Sequence, residues 1–178
     1  NPPIDDYFVL RHGGHYRPAV MIRECENVTL RDVKIHSQSG MGVVGHLTRN
    51  IMIDNLQVVP EAGSVISTNT DATHFTSCSG TITIQNSKFK GQGDDCTNIH
   101  SYYYRIYPEN DNRVEMRIEG ADLHALWLDY PQLNDTMVVI NKRSMAEQGR
   151  YVVQSVDTSL LNWRVMVELD RKIDVEDP

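Results

Sequence analysis

The chain has 178 residues, 40% of them hydrophobic, with 24 acidic against 17 basic side chains and a formal net charge of −7. That apolar content excludes a disordered chain, and the acidic balance argues against nucleic acid or an anionic membrane as the main partner, because phosphate binding needs clustered positive charge. Apolar runs of only a few residues exclude a membrane-spanning helix, and the length allows one ordinary domain or parts of two.

The chain opens on Asn1-Pro2-Pro3, without Met or a signal peptide, and so reads as a piece of a longer protein or a processed form. Residues 1–17 are an entry segment. Within it, Arg11, His12, His15 and Arg17 resemble a metal motif, but no carboxylate or Cys stands at a suitable spacing, so a surface or cleft turn is expected. Cys25, Cys78 and Cys96 are odd in number and contain no Cys-x-x-Cys pair, which predicts buried free thiols rather than a disulfide set or a zinc site.

From residue 18 the helix signal is weak and the strand signal repeats. "NVTLRDVKI" from Asn27, "NIMIDNLQV" from Asn50 and "TITIQNSKF" from Thr81 share one pattern, apolar-x-apolar-x-x-apolar-x-apolar, broken only at Ser87. Alternation predicts one buried face per strand. The central two-residue gap predicts a bend, with Asp32, Asn55 and Asn86 forming a polar ladder there. Repeats of 23 and then 31 residues, built of short strands, predict a right-handed parallel β-helix over 18–107, with coils of about 23 residues.

The repeat also places acidic residues. Counting forward from the end of one repeat and backward from the start of the next puts Gly40, Asp71 and Asp94 at one position, with eight extra residues just before Asp71. Asp71 and Asp94 are then neighbours about 4.8 Å apart on adjacent coils, with Asp95 one step along. His74 falls beside Thr97 in the same alignment. Like charges so placed repel, a cost that a purely structural coil has no reason to accept. Tyr102, Tyr103 and Tyr104 follow, a candidate sugar-stacking face of which at least one ring points inward.

Beyond Pro108 the period is lost. "VEMRIEG", "MVVINK", "YVVQSV" and "WRVMVEL" read as strands of a small antiparallel β-barrel portion over 113–178, with Trp127 and Trp163 in its core. The whole chain is thus expected to be all-β.

Clustered Asp residues on such a scaffold suit glycoside hydrolysis, Ca²⁺ binding or plain turns. Thr70-Asp71-Ala72-Thr73-His74-Phe75, Cys78-Ser79-Gly80 and Asp94-Asp95-Cys96-Thr97-Asn98-Ile99-His100 together resemble glycoside hydrolase family 110, the bacterial exo-acting α-1,3-galactosidases. The resemblance implies a β-helix with inserted barrel pieces. "HALWLDYPQLNDTMVVI" resembles the start of such an insertion, with Asn134-Asp135 where a Gly-Asp turn is usual. It further implies inverting hydrolysis of terminal α-1,3-linked galactose, with Asp71, Asp94 and Asp95 catalytic, no cofactor or metal, and a secreted or periplasmic location. Asp94, with a carboxylate on either side, is the expected general acid; Asp71 and Asp95 activate water. His74, Asn98, His100 and Tyr102 are the candidate substrate-binding residues. The implied partner is a galactose-containing glycan, without membrane insertion; the sequence sets no oligomeric state.

Two alternatives remain open. A polygalacturonase-like hydrolase shares the "NTD" and "DDC" elements and the fold, but its downstream Gly-His-Gly and Arg-x-Lys are absent after Asp95, and no basic cluster accompanies the acids as a uronic-acid substrate would require. A non-enzymatic β-helix adhesin, binding Ca²⁺ or carbohydrate, would use the same acids as hard oxygen ligands.

Overall fold

The computed structural model describes residues 9–10, 17–118, 130–159 and 164–174. Two units divide at Ser101/Tyr102, and every regular element among the described residues is a strand. No helix there is long and apolar enough to cross a membrane.

The first unit is a parallel β-helix. Each coil contributes three strands in turn: β1 (Val20–Arg23), β2 (Glu26–Arg31) and β3 (Lys34–Ile35); then β4 (Val43–His46), β5 (Arg49–Asp54) and β6 (Gln57–Val58); then β7 (Thr73–Thr76), β8 (Ser79–Gln85) and β9 (Lys88–Phe89). β10 (Thr97–His100) begins the next coil. Equivalent strands stack in register into three parallel sheets, β1-β4-β7-β10, β2-β5-β8 and β3-β6-β9. A right-handed sense is the one expected for parallel crossovers. The three repeated segments of the sequence are the second and third sheets. The first sheet, which carries His74, Asn98 and His100, lies outside those repeated segments.

Alternation does what the pattern requires. Ile51, Ile53, Leu56 and Val58 of the middle coil are essentially fully buried, while Val28, Leu30, Ile82 and Ile84 on either side are partly covered and pack against them. Each such side chain contributes about 1.5–3 kcal/mol when fully buried. Ser87 breaks the apolar pattern because its hydroxyl is used: it accepts from the Leu56 amide at 3.1 Å and donates to the Gln85 carbonyl at 2.8 Å.

The bends are made by residues in the left-handed region, among them Asn27, Asp32, Asn50, Asn55 and Asn86 with φ between 53° and 57°. Asn tolerates this conformation better than other non-glycine residues. Two polar ladders result. Asn50 Nδ2 donates to Asn27 Oδ1 at 2.9 Å, and Asn55 Nδ2 donates to Asp32 Oδ1 at 2.7 Å. Asn86 was expected to extend the second ladder through Asn55; it bonds instead to Asp54 Oδ1 at 2.8 Å.

Coil length is uneven, and the unevenness decides the register at the site. From the first coil to the second the step is 23 residues, as from Val28 to Ile51. From the second to the third it is 30 at Val43–Thr73 and 31 at Ile51–Ile82. Seven of the eight extra residues lie in the loop between Val58 and Thr68; the eighth is accommodated where the ladder shifts between Arg49 and Ile51, opposite the left-handed Gly80. From Thr68 to Gln92 and from Thr73 to Thr97 the step is 24. Asp71 therefore stands opposite Asp95, and Asp94 opposite Thr70. The expected Asp71–Asp94 pairing is thus off by one residue, because only seven of the eight extra residues precede Asp71.

The second unit is a five-stranded antiparallel sheet in the order β11-β12-β15-β14-β13, with β11 (Arg105–Pro108), β12 (Arg113–Arg117), β13 (Thr136–Ile140), β14 (Glu147–Asp157) and β15 (Arg164–Leu169). β11 falls in the stretch expected to close the coils, yet it pairs with β12, so its backbone bonds belong to this sheet. The first half of β14 pairs with β13 and the second with β15, with a ladder shift between Val153 and Ser155. The core is Val114, Met116, Val139, Tyr151, Val153, Val165, Val167, Leu169 and Ile173. Asn134 sits in the left-handed region, doing at this turn what a glycine would, and Asp135 Oδ2 accepts from the Gln132 amide at 2.7 Å. Trp127, Trp163 and the His12/His15 motif lie outside the described residues.

All three cysteines are free. They are not the buried thiols expected: Cys25 and Cys96 are exposed at bends, and only Cys78 is partly buried, which pushes its thiol pKa up.

Candidate active site

The site forms where the first parallel sheet begins, in the segments leading into β7 and β10. Asp71 is held by its backbone from both neighbouring coils. The Gly42 amide donates to its carbonyl at 2.9 Å, and the next residue, Ala72, donates its amide to the Asp95 carbonyl at 2.9 Å. Gly42 is required by proximity, since a Cβ there would overlap the carbonyl oxygen of Ala72. The preceding Thr-Asn-Thr run is fastened internally, the buried Thr68 donating its hydroxyl to the Thr70 carbonyl at 2.7 Å. On the other side, the Gln92 amide spans the Asp94-Asp95 bend to reach Cys96 Sγ at 2.8 Å.

These constraints converge three carboxylates. One oxygen from each of Asp71, Asp94 and Asp95 lies within 4.8 Å of the others. Asp71 is buried, 4% exposed, while Asp94 and Asp95 are open to solvent. The bends at 93–94 and 96 remove the strand alternation that would otherwise turn adjacent side chains to opposite faces. Three hard oxygens so arranged can serve acid–base chemistry or ligate a cation such as Ca²⁺.

Asp71 is tied to a histidine. His74 Nδ1 is 2.6 Å from Asp71 Oδ2, and His74 Nε2 is 3.0 Å from His100 Nε2. The two rings meet edge to face, with centroids 4.9 Å apart. The one-residue register change applies here too: His74 stands opposite Asn98, not Thr97, and His100 opposite Thr76. The Thr73 and Thr97 hydroxyls hydrogen-bond at 2.9 Å beneath. One coil away His46, fully buried, occupies the Thr76–His100 column, and burial lowers its pKa.

Of the residues singled out in the sequence, six are therefore brought together: Asp71, Asp94 and Asp95 by their oxygens, His74 and His100 by their rings, and Asn98 by its register with His74. Tyr102 belongs to the second unit. It is half-buried, which raises its hydroxyl pKa, and with Tyr103 and Tyr104 it lines a cavity of about 760 Å³ against β13 residues such as Met137 and Val139. The contact between His74 and His100 was not foreseen. The signal available was their offset from the acids, three residues past Asp71 and five past Asp95, an even difference that puts both side chains on one face of adjacent strands.

Comparison with known proteins agrees with this geometry. A family model described as "Glycosyl hydrolases family 28" matches residues 11–112. The chain is 34% identical over 115 residues to alpha-1,3-galactosidase A of Shewanella woodyi, covering 64% of this chain and 19% of that protein. It is 33% identical over 132 residues to alpha-1,3-galactosidase B of Parabacteroides distasonis, covering 72% and 21%, and 31% identical over 108 residues to alpha-1,3-galactosidase B of Bacteroides fragilis, covering 59% and 18%. The chain thus spans about a fifth of the length of these relatives. Parallel coils, three converging carboxylates on them and a match over more than half its length give one assignment: the chain belongs to glycosyl hydrolases family 28.

Proposed function

We propose that the protein hydrolyses terminal α-1,3-linked galactose from glycans by an inverting acid–base mechanism. The observation that carries this reading is the convergence of Asp71, Asp94 and Asp95 within 4.8 Å, joined to the names of the relatives. Register supports the division of labour. Asp71 and Asp95 stand opposite one another across the ladder and together hold the attacking water, while Asp94, opposite Thr70, faces the glycosidic oxygen and protonates it. Asp71 already accepts from His74, so its second oxygen is the one that takes the proton from water. Asn98 supplies a hydrogen bond to a sugar hydroxyl. A secreted or periplasmic site of action goes with a glycan substrate.

The oxygen separations are shorter than the roughly 6.5–9.5 Å usual between the carboxyls of an inverting pair. Here two carboxylates rather than one would hold the water, and the inverting assignment rests on the family resemblance. The test is to incubate the full-length protein with α-galactosyl and galacturonosyl oligosaccharides and to follow the first-formed sugar by NMR. Release of β-galactose from an α-1,3-linked terminus supports the reading. α-Galactose appearing first would defeat inversion, and cleavage of galacturonosides alone would favour the polygalacturonase-like alternative. Turnover lost in a chelator and restored by Ca²⁺ would favour ligation by the acids over acid–base work.

A further inference from the structure

The histidine pair has a role that sugar binding does not describe. His74 Nδ1 lies 2.6 Å from a carboxylate oxygen, which accepts only, so Nδ1 carries the proton. His74 Nε2 lies 3.0 Å from His100 Nε2. A hydrogen bond between two ring nitrogens needs one proton, because two would collide and none would leave lone pairs facing each other. With Nδ1 protonated and His74 neutral, its Nε2 accepts and His100 Nε2 donates. Both nitrogens of His74 are then engaged within the protein, and its side chain is only 15% exposed.

We infer that His74 and His100 form a two-imidazole brace that positions Asp71: His100 holds His74 as the Nδ1–H tautomer, and His74 holds one oxygen of Asp71, leaving the other for the reaction. His74 is thus a positioning residue, and His100 positions it in turn. The parallel ladder makes the brace rigid, since His74 is fixed on β7 and His100 on β10 by backbone pairing rather than by loops. Thr76 Oγ1, 3.5 Å from the same Nε2, is at most a weak second acceptor of that proton, so the 3.0 Å contact with His74 takes it. Groups that orient a reacting residue through its hydrogen bonds commonly change activity about 10–100-fold when removed. The catalytic consequence rests on the function proposed above; the tautomers do not.

The experiment therefore has two readouts on the full-length protein. The first is the imidazole tautomers, from long-range ¹H–¹⁵N correlations of ¹⁵N-histidine-labelled enzyme at neutral pH, with signals assigned by His74 and His100 substitution. The expected result is Nδ1–H for His74 and Nε2–H for His100. Nε2–H at His74 overturns the brace, with no variant needing to fold. The second is kinetic. His100→Leu is expected to lower kcat about tenfold or more with KM little changed, and His100→Gln, whose amide can donate to His74 Nε2, is expected to restore most of the lost turnover. A raised KM at unchanged kcat in His100→Leu would assign His100 to substrate binding and overturn the proposal. If the wild-type protein releases no galactose while the tautomers are as stated, the proposed function fails and the brace stands.

Discussion

Asp94 differs from its two partners in register, standing opposite Thr70 while Asp71 and Asp95 stand opposite one another, and that difference is open to test. With Asp94 as the acid, Asp94→Asn should lower turnover of natural glycans about 10²–10⁴-fold, and much less for galactosides with activated leaving groups, which need little protonation. Steady-state kinetics on both substrate types would check this. If Asp71→Asn or Asp95→Asn showed the leaving-group dependence instead, the acid and base assignments would exchange. Gly42 acts at the same scale without touching substrate. Its missing Cβ leaves room for the Ala72 carbonyl, so Gly42→Ala should displace the backbone that carries Asp71. The expected cost is about 1–3 kcal/mol of stability together with a fall in kcat, measured by denaturant unfolding and kinetics on the same preparation.

Among the elements, the polar ladders tie one coil to the next through side chains. Asn50 serves three purposes: it takes a left-handed φ of 57°, donates to Asn27, and accepts from the Thr81 amide at 3.1 Å. Asn50→Ala keeps none of them well. It should cost about 0.5–1.5 kcal/mol through the two lost cross-coil bonds, both exposed to solvent, read from the unfolding midpoint. Asn50→Gly, which restores the backbone freedom alone, should recover only part of the loss. The ladders also show how far local pattern reached. Asp32 and Asn55 pair as the sequence suggested, but Asn86, although still opposite Asn55 in register, turns its amide to Asp54, a side-chain direction that the neighbouring coil settles.

At the scale of the molecule, an ion cluster in the second unit ties stability to pH. In the second unit Glu115 lies between Arg164 and Arg117, and hydrogen bonds from Arg164 first and Arg117 second hold its carboxyl at about 2, below the ordinary 4.5. A depressed folded pKa contributes stability that is fully present above about 4.5 and is lost as pH falls through about 2. Wild type should therefore exceed Glu115→Gln in stability at pH 7, and the gap should close between pH 4.5 and 2. Hydrogen exchange at Val114–Arg117 across that range would check it; a gap that stayed constant with pH would show that the ion cluster is not its source.

Much of this protein is local in origin. Alternation in "NVTLRDVKI", "NIMIDNLQV" and "TITIQNSKF" is enough to specify short strands with one buried face, and their recurrence is enough to specify stacking, because no coil can bury its apolar edge alone. Asx residues at the bends and acids near one coil position were legible for the same reason: both are properties of short segments. Three things were not. The strands Val20–Arg23, Val43–His46, Thr73–Thr76 and Thr97–His100 share no common pattern, the first two mainly apolar and the last two mainly polar, and they are strands because parallel partners on adjacent coils satisfy their backbones. The partition of the eight extra residues between the loop after Val58 and Gly80 leaves no mark on composition, yet it moves Asp95, not Asp94, opposite Asp71. The bond between His74 and His100 depends on that register and on side-chain directions across two coils, which only the stacked tertiary structure sets.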